Sequence, residues 1–313
     1  MATLMRGSTG PEVTALQQRL KDLGFDPNGV DGVFGPGTEA AVKAFQQAKG
    51  LTVDGKVGPI TQAALQSGGG GGGIGSSSAE KILWVVDYNS LSQFIQRAVA
   101  AKVTAVAVRT SNNMPEAIAA AHAANLKIYG WRWPSAKPGP AMAEADHAAT
   151  LLTQGMDGYF VDPEGSNGNN NWDQSGLVQL ANDFCGRVKQ AAGTKPLGVT
   201  SHYRAKQIFP NLPWAAFFQH ADVLLPQAYW RVAEGQVHHA NPVENFRDSI
   251  EAWVQAGGAK EKIQPMAGEL RRVSGGEIGQ YAGEARSQGI ATLHFYTDEP
   301  GIDPGVWAAV AQA

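Results

Sequence analysis

The 313-residue sequence contains one cysteine, Cys185. No intramolecular disulfide can form, so the fold must stand on its core alone. Cys185 falls in residues 177–188, where the apolar spacing is helical, and it reads as a buried thiol rather than a nucleophile. No stretch approaches the length of a membrane span. The formal net charge is −3 and there is no long Lys/Arg run, so the electrostatic footprint of a nucleic-acid or anionic-membrane binder is missing. The histidines begin only at His122 and show neither His-x3-His nor His-Glu-x-x-His spacing. The adjacent His238 and His239 point apart and suit a surface loop, so no metal and no cofactor are expected. The N-terminus shows no basic and apolar leader. For a protein acting outside the cytoplasm, that leads to the expectation of release by lysis, a holin or an injection machine, unless a leader has been trimmed.

What is present is enough apolar residue, 43% against 17% charged, to bury cores in two domains. The first sign of organisation is a repeat. Asp31-Gly-Val-Phe-Gly-Pro-Gly-Thr38 and Asp54-Gly-Lys-Val-Gly-Pro-Ile-Thr61 lie 23 residues apart. Each reads as a Gly/Pro-fixed turn ending on a Thr able to cap the following helix, so residues 1–67 form a small all-α module. The module resembles the peptidoglycan-binding domain of the three-helix repeat type. The likeness runs through Arg6-Gly-Ser-Thr-Gly-Pro-Glu-Val, Leu16-Gln-Gln-Arg-Leu20, Leu23-Gly-Phe25, both loop copies and Ala41-Val-Lys-Ala-Phe-Gln-Gln47. That resemblance implies a targeting device whose partner is bacterial peptidoglycan. Residues 68–78 are Gly and Ser but for Ile74, the composition of a flexible linker.

Residues 79–313 alternate β-rich and helical runs. Strands are expected at 82–87, 103–109, 126–133, 158–164, 197–202, 223–229, 263–269 and 292–298, with helices such as 91–101, 115–124, 141–152, 176–191, 243–256 and 277–287. Eight strands with intervening helices at this length point to an α/β fold, a parallel (β/α)8 TIM barrel. The weakest unit is the fifth, where residues 208–220 are aromatic and interrupted by Pro rather than clearly helical.

In such a barrel the active site is built at the carboxyl ends of the strands. These ends carry Asp87, Arg109, Trp131 with Trp133, Asp162 with Glu164, Tyr203, Gln227 with Tyr229, Glu269, and Tyr296 with Asp298. Asp162 and Glu164, two apart on one strand, share a face and enter the mouth together. Side by side, the two acids raise the pKa of at least one, which leaves a carboxylic acid protonated near neutral pH. Paired carboxylates with flat aromatic faces are the needs of glycoside hydrolysis. Trp131, Trp133, Tyr203, Tyr229, Trp230 and Tyr296 are candidate sugar-stacking surfaces, although core packing serves any one of them as well. Arg109 could pair with Asp87 or Glu164 or bind a stem-peptide carboxylate; Glu269 and Asp298 could each substitute for a supporting acid.

An Asp ending strand one and an Asp-x-Glu ending strand four resemble the lysozyme-type barrels of glycoside hydrolase family 25. That likeness implies Asp87 and Asp162 as supporting carboxylates and Glu164 as general acid. The same Asp-x-Glu with Leu225-Pro-Gln-Ala-Tyr-Trp230 is similar to the family 18 chitinases, although the chain has only the end of their Asp-x-x-Asp-x-Asp-x-Glu run. There the resemblance implies that the Glu protonates the glycosidic oxygen while the Asp and the strand-six Tyr orient the substrate's N-acetyl group. The expected function is a monomeric peptidoglycan hydrolase, most simply an N-acetylmuramidase. The alternatives are an N-acetylglucosaminidase, a zinc amidase or peptidase, and a barrel that only holds glycan. Phage endolysin, injected effector and host autolysin all suit such a protein.

Overall fold

In the computed structural model, residues 3–22, 25–48, 53–58, 61–62, 65, 80–165, 168–231 and 241–313 are described. The Gly/Ser-rich stretch expected as a linker, 68–78, lies outside them, as do Leu23 and Gly24 of the module motif and the pair His238 and His239. The chain divides into two compact units, Met1–Ser77 and Ser78–Ala313.

In the first unit, helices α1 (Pro11–Asp22) and α2 (Pro36–Ala48) carry Val13, Leu16, Leu20, Val42 and Phe45 at helical spacing. These side chains close a core with Phe34, Val57 and Leu65. The described residues of the two loop copies are held the same way; Pro59 and Ile60 of the second lie outside them. Gln17 Nε2 donates to Asp31 Oδ1 (2.8 Å), the Val33 carbonyl (3.0 Å) and Thr38 Oγ1 (3.0 Å), while its Oε1 accepts from Gly32 N (2.8 Å). Gln46 repeats every bond, to Asp54 Oδ1 (2.7 Å), the Lys56 carbonyl (2.8 Å), Thr61 Oγ1 (3.2 Å) and from Gly55 N (2.8 Å). Gly32 and Gly55 sit at φ 75° and 71°, a backbone region open chiefly to glycine. Thr38 does not cap α2 as its position suggested. The helix starts two residues earlier because Pro36, lacking an N–H, fits the first helical turn, and the freed hydroxyl accepts from Gln17.

The second unit is a barrel of eight parallel strands: β1 (Glu80–Val85), β2 (Ala105–Arg109), β3 (Lys127–Arg132), β4 (Gly158–Val161), β5 (Leu197–His202), β6 (Val223–Gln227), β7 (Met266–Ala267) and β8 (Thr292–Phe295). Their order in the sheet is β6-β5-β4-β3-β2-β1-β8-β7, and a single parallel bridge from Leu224 to Ile263 nearly closes the ring. Around it lie α3 (Leu91–Ala100), α4 (Met114–Ala123), α5 (Pro138–Thr153), α6 (Val178–Ala192), α7 (Trp214–His220), α8 (Pro242–Gln255), α9 (Gly275–Ser287) and α10 (Pro304–Gln312). The fifth unit, weak in the sequence, is covered by the 3-10 turn Ala205–Gln207 and the short α7. Helix α10 follows a clear signal, an Asp303 cap accepting from Gly305 N ahead of Pro304.

Alternation sorts the strands into two cores. Outward residues such as Val106, Val108, Ile128 and Val199 pack under the helices. Inward Trp84, Tyr129, Trp131, Phe160 and Met266 fill the barrel. Two acids brace the amino-terminal ends of strands: Asp157 accepts from Ile128 N (2.8 Å), and Asp222 from Leu197 N (2.9 Å). Lys81, buried on the outside of β1, donates to the last carbonyls of α10, Val310 (2.9 Å) and Ala311 (3.1 Å), where the helix dipole favours a cation.

Candidate active site

Strand β4 points Phe160, Asp162 and Glu164 inward in sequence. Phe160 stacks on Trp84 (5.0 Å, 20°) and forms an apolar floor beneath Asp162, which is 8% exposed. Glu164, half-buried, is anchored by its own carbonyl, which accepts from Trp172 N (2.8 Å). The preceding carbonyl of Pro163 accepts from Ser201 Oγ (2.7 Å). Gln227, at the end of β6, donates to Asp162 Oδ1 (2.9 Å). Burial drives the Asp162 carboxyl well above its ordinary range, and the neighbouring Glu164 charge pushes the same way; only the Gln227 amide opposes. Burial also raises Glu164, again against the Gln227 amide. Burial and mutual repulsion therefore both favour the protonated form of at least one carboxyl, the form that can act as an acid.

Tyr229 and Tyr296 lie above this pair with rings nearly parallel (5.3 Å, 9°). Burial and the surrounding acids, Asp162, Glu164 and Glu269 among them, hold the Tyr229 phenol protonated, so its hydroxyl can donate. Glu269 follows β7 in a left-handed backbone conformation (φ 45°, ψ 61°) and pairs with Arg272. Its carboxyl is raised, chiefly by burial.

The remaining candidates separate into rim and core. Asp87 is 62% exposed on the rim, and Arg109 Nη2 donates to both its oxygens (2.6 and 2.5 Å). Trp133 is 40% exposed, a flat face open to solvent. Trp131 is buried inside the barrel, its Nε1 donating to the Val85 carbonyl (3.0 Å). Tyr203 is buried and stacks on His202 (4.9 Å, 26°). Asp298 is buried against Arg97 of α3, which donates from Nε (2.8 Å) and Nη2 (2.5 Å). It braces a helix against the end of β8.

His294, below Tyr296 on β8, was not among the sequence candidates. Trp84 Nε1 donates to its Nδ1 (3.2 Å), so Nε2 carries the hydrogen and faces Gln264 Oε1 (3.2 Å). Burial lowers its pKa to about 3 and leaves it neutral. Its period-two position inward of Tyr296 was readable; the partner Gln264 was not. Among the described residues, no three His, Cys, Asp or Glu side chains converge to hold a metal ion, and no helix is long and apolar enough to cross a membrane.

With the fold and mouth in view, the likenesses to known proteins divide along the same boundary. Residues 9–65 match the family described as putative peptidoglycan binding domain. The chain is 48% identical over 62 residues to a spore cortex-lytic enzyme of Bacillus cereus, a match covering 20% of this chain and 24% of that enzyme. The chain thus spans about a quarter of the length of that curated relative. The barrel resembles solved structures in fold alone. A chitinase from Chromobacterium violaceum superimposes with TM-score 0.54 at 15% identity, over 75% of this chain and 98% of that one. The Bacillus cereus spore cortex-lytic enzyme SleL does so with TM-score 0.52 at 12% identity, over 75% and 74%.

Proposed function

We propose that the chain is a peptidoglycan hydrolase in which the module binds the wall and the barrel cuts its glycan. The reading rests on one observation above the others: Asp162 and Glu164 are brought together at the barrel mouth with both carboxyls raised. In this role Glu164, protonated, gives its proton to the glycosidic oxygen as the bond from that oxygen to C1 breaks. The carbonyl oxygen of the substrate's own acetamido group bonds to C1 in its place, with Asp162 holding the acetamido N–H and the Tyr229 hydroxyl donating to its oxygen. Water then attacks C1 as the bond from C1 to the acetamido oxygen breaks, and passes a proton to Glu164, so configuration is retained. Trp133 offers a sugar platform on the rim. Arg109, with Asp87 on one edge of its guanidinium, and Glu269 are the polar contacts we assign to substrate substituents.

The bond we assign is the one after N-acetylmuramic acid; the bond after N-acetylglucosamine is the second reading. The grouping of Asp162, Gln227 and Tyr229, with Asp87 out on the rim, favours acetamido participation, and both sugars carry that group. A barrel that only holds glycan would gain nothing from two desolvated acids, which lower stability wherever they are charged. Fold likeness to a chitinase and match of the module to a cortex-lytic enzyme agree with the reading without carrying it. A Gly/Ser tether would keep the barrel at high local substrate concentration while the module is bound.

The test is mass spectrometry of purified peptidoglycan digested by the wild type and by Glu164→Gln, with new reducing ends chemically reduced. Reduced muramic ends that vanish in the variant support the muramidase; reduced glucosamine ends support the second reading. Freed stem peptides or intact glycan overturn both.

A further inference from the structure

The ring of Tyr229 sits in a slot made by two other strand ends. One wall is the Tyr296 ring, parallel to it at 5.3 Å. The other is the backbone of Gly268, directly after β7. A Cβ built on Gly268 would fall on Cγ and Cδ1 of Tyr229, closer than any real contact. The Gly268 backbone is not in the left-handed region, so what the position demands is space rather than glycine's conformational freedom. The two walls are tied together: Tyr296 N donates to the Ala267 carbonyl (2.9 Å), and Leu270 N donates to the Tyr296 carbonyl (3.0 Å). These bonds straddle residue 268, so the slot cannot widen without breaking the β7–β8 ladder. Tyr229 is also held from its own chain, its N–H donating to the Gln227 carbonyl (2.8 Å), and the Gln227 side chain holds Asp162.

We infer that Gly268 is a positioning residue: its missing side chain forms, with Tyr296, the seat that aims the Tyr229 hydroxyl over the Asp162–Glu164 pair. The functional half of this inference rests on the glycosidase reading above. A methyl at 268 must push the ring out of this seat. Displacing a reacting group's partner by about 1 Å costs on the order of 100-fold in turnover. A residue that merely fills the core would lower stability without singling out the chemical step.

The experiment is a double-mutant cycle of Gly268→Ala and Tyr229→Ala in the full chain, read by kcat and KM on soluble N-acetylated glycan and by thermal unfolding. Gly268→Ala is expected to lower kcat about 100-fold with KM changed less than about threefold. In the Tyr229→Ala background, where the ring is gone, the same substitution is expected to change kcat less than about twofold and to leave the melting temperature unmoved. Full activity of Gly268→Ala, or effects that add in the cycle, overturn the inference. If Gly268→Ala fails to fold, recovery of folding in the double variant supports the seat, and failure of the double variant where Tyr229→Ala folds overturns it. Wild-type protein inactive on every glycan would sink the glycosidase reading, whereas the unfolding cycle decides the seat without reference to substrate.

Discussion

A glutamine amide donates to an aspartate in both units of the chain, yet the carboxylates end in opposite states. In the module, Gln17 reaches Asp31 and Gln46 reaches Asp54 at 2.8 and 2.7 Å, and both acids lie below their ordinary pKa. For Asp31 the Gln17 bond is the main cause; for Asp54 it is the Lys56 N–H, followed by Gln46. In the barrel, Gln227 reaches Asp162 at 2.9 Å, and Asp162 lies well above its ordinary range. The glutamine bonds are alike; the solvent is not, nor is the backbone N–H that Asp31 and Asp54 each accept as well (2.9 Å). Asp31 and Asp54 are exposed, so the bond adds to a well-hydrated charge, whereas Asp162 has lost its water and gained a second acid. The same contact goes with a lowered carboxyl in one unit and a raised one in the other.

The strongest way to break this contrast is Glu164→Gln, which removes the proposed proton donor while keeping its shape. It should lower turnover on purified peptidoglycan roughly 100- to 10,000-fold, measured by new reducing ends, with folding intact. An active variant would reduce the barrel acids to structure, like those of the module. His294 isolates burial from charge pairing. Its pKa falls from 6.5 to about 3, so the unfolded chain takes up a proton that the native state refuses. Stability present above pH 6.5 should therefore be lost as pH falls toward 3, on the order of 5 kcal/mol in all. Urea unfolding across that range should give a flatter profile for His294→Gln.

In the module, Gln17→Ala and Gln46→Ala each delete three donated bonds and orphan the N–H of Gly32 or Gly55. Each should cost about 2–3 kcal/mol, seen as an earlier unfolding transition of the intact protein, and the two losses should match because the nodes match. The smallest effect has the most telling sign. Asp162, raised in the native state, destabilises the fold once pH exceeds its unfolded value, so Asp162→Asn should raise the melting temperature at pH 7. A gain of about 2–4 °C is the size of 1 kcal/mol in a domain this long, and it should vanish below about pH 4. Asp31→Asn should move the melting temperature the other way, because a lowered pKa stabilises above the unfolded value and that contribution is lost as pH falls.

Much of the architecture was legible because it is periodic. Eight β-rich runs separated by helical ones lie where the barrel's strands lie, although β7 shrinks to Met266–Ala267 and β4 stops at Val161. The doubled Asp-Gly-x-x-Gly-Pro-x-Thr motif marked the two module loops but not the reason for them, since Gln17 and Gln46 sit on the preceding helical segments. At the mouth, the spacing of Asp162 and Glu164 put both on one face. Strand-end position could not say which aromatics face the mouth: Trp131 and Trp133, two apart on one side, end as a buried side chain and an exposed one. Gly268 gave no sign at all, because a missing Cβ matters only for what another strand puts in its place.

The sequence by itself determined the division into a repeat-built module and an alternating α/β unit, and it put the paired acids at a strand end. Those properties are local, written in period, turn chemistry and spacing. Only the tertiary structure decided the electrical state of the acids, the neutrality of His294, the withdrawal of Asp298 to Arg97 and the seat of Tyr229. Each of these depends on how much water is excluded and on which side chain arrives from a strand far away in sequence, and neither quantity exists until the barrel closes.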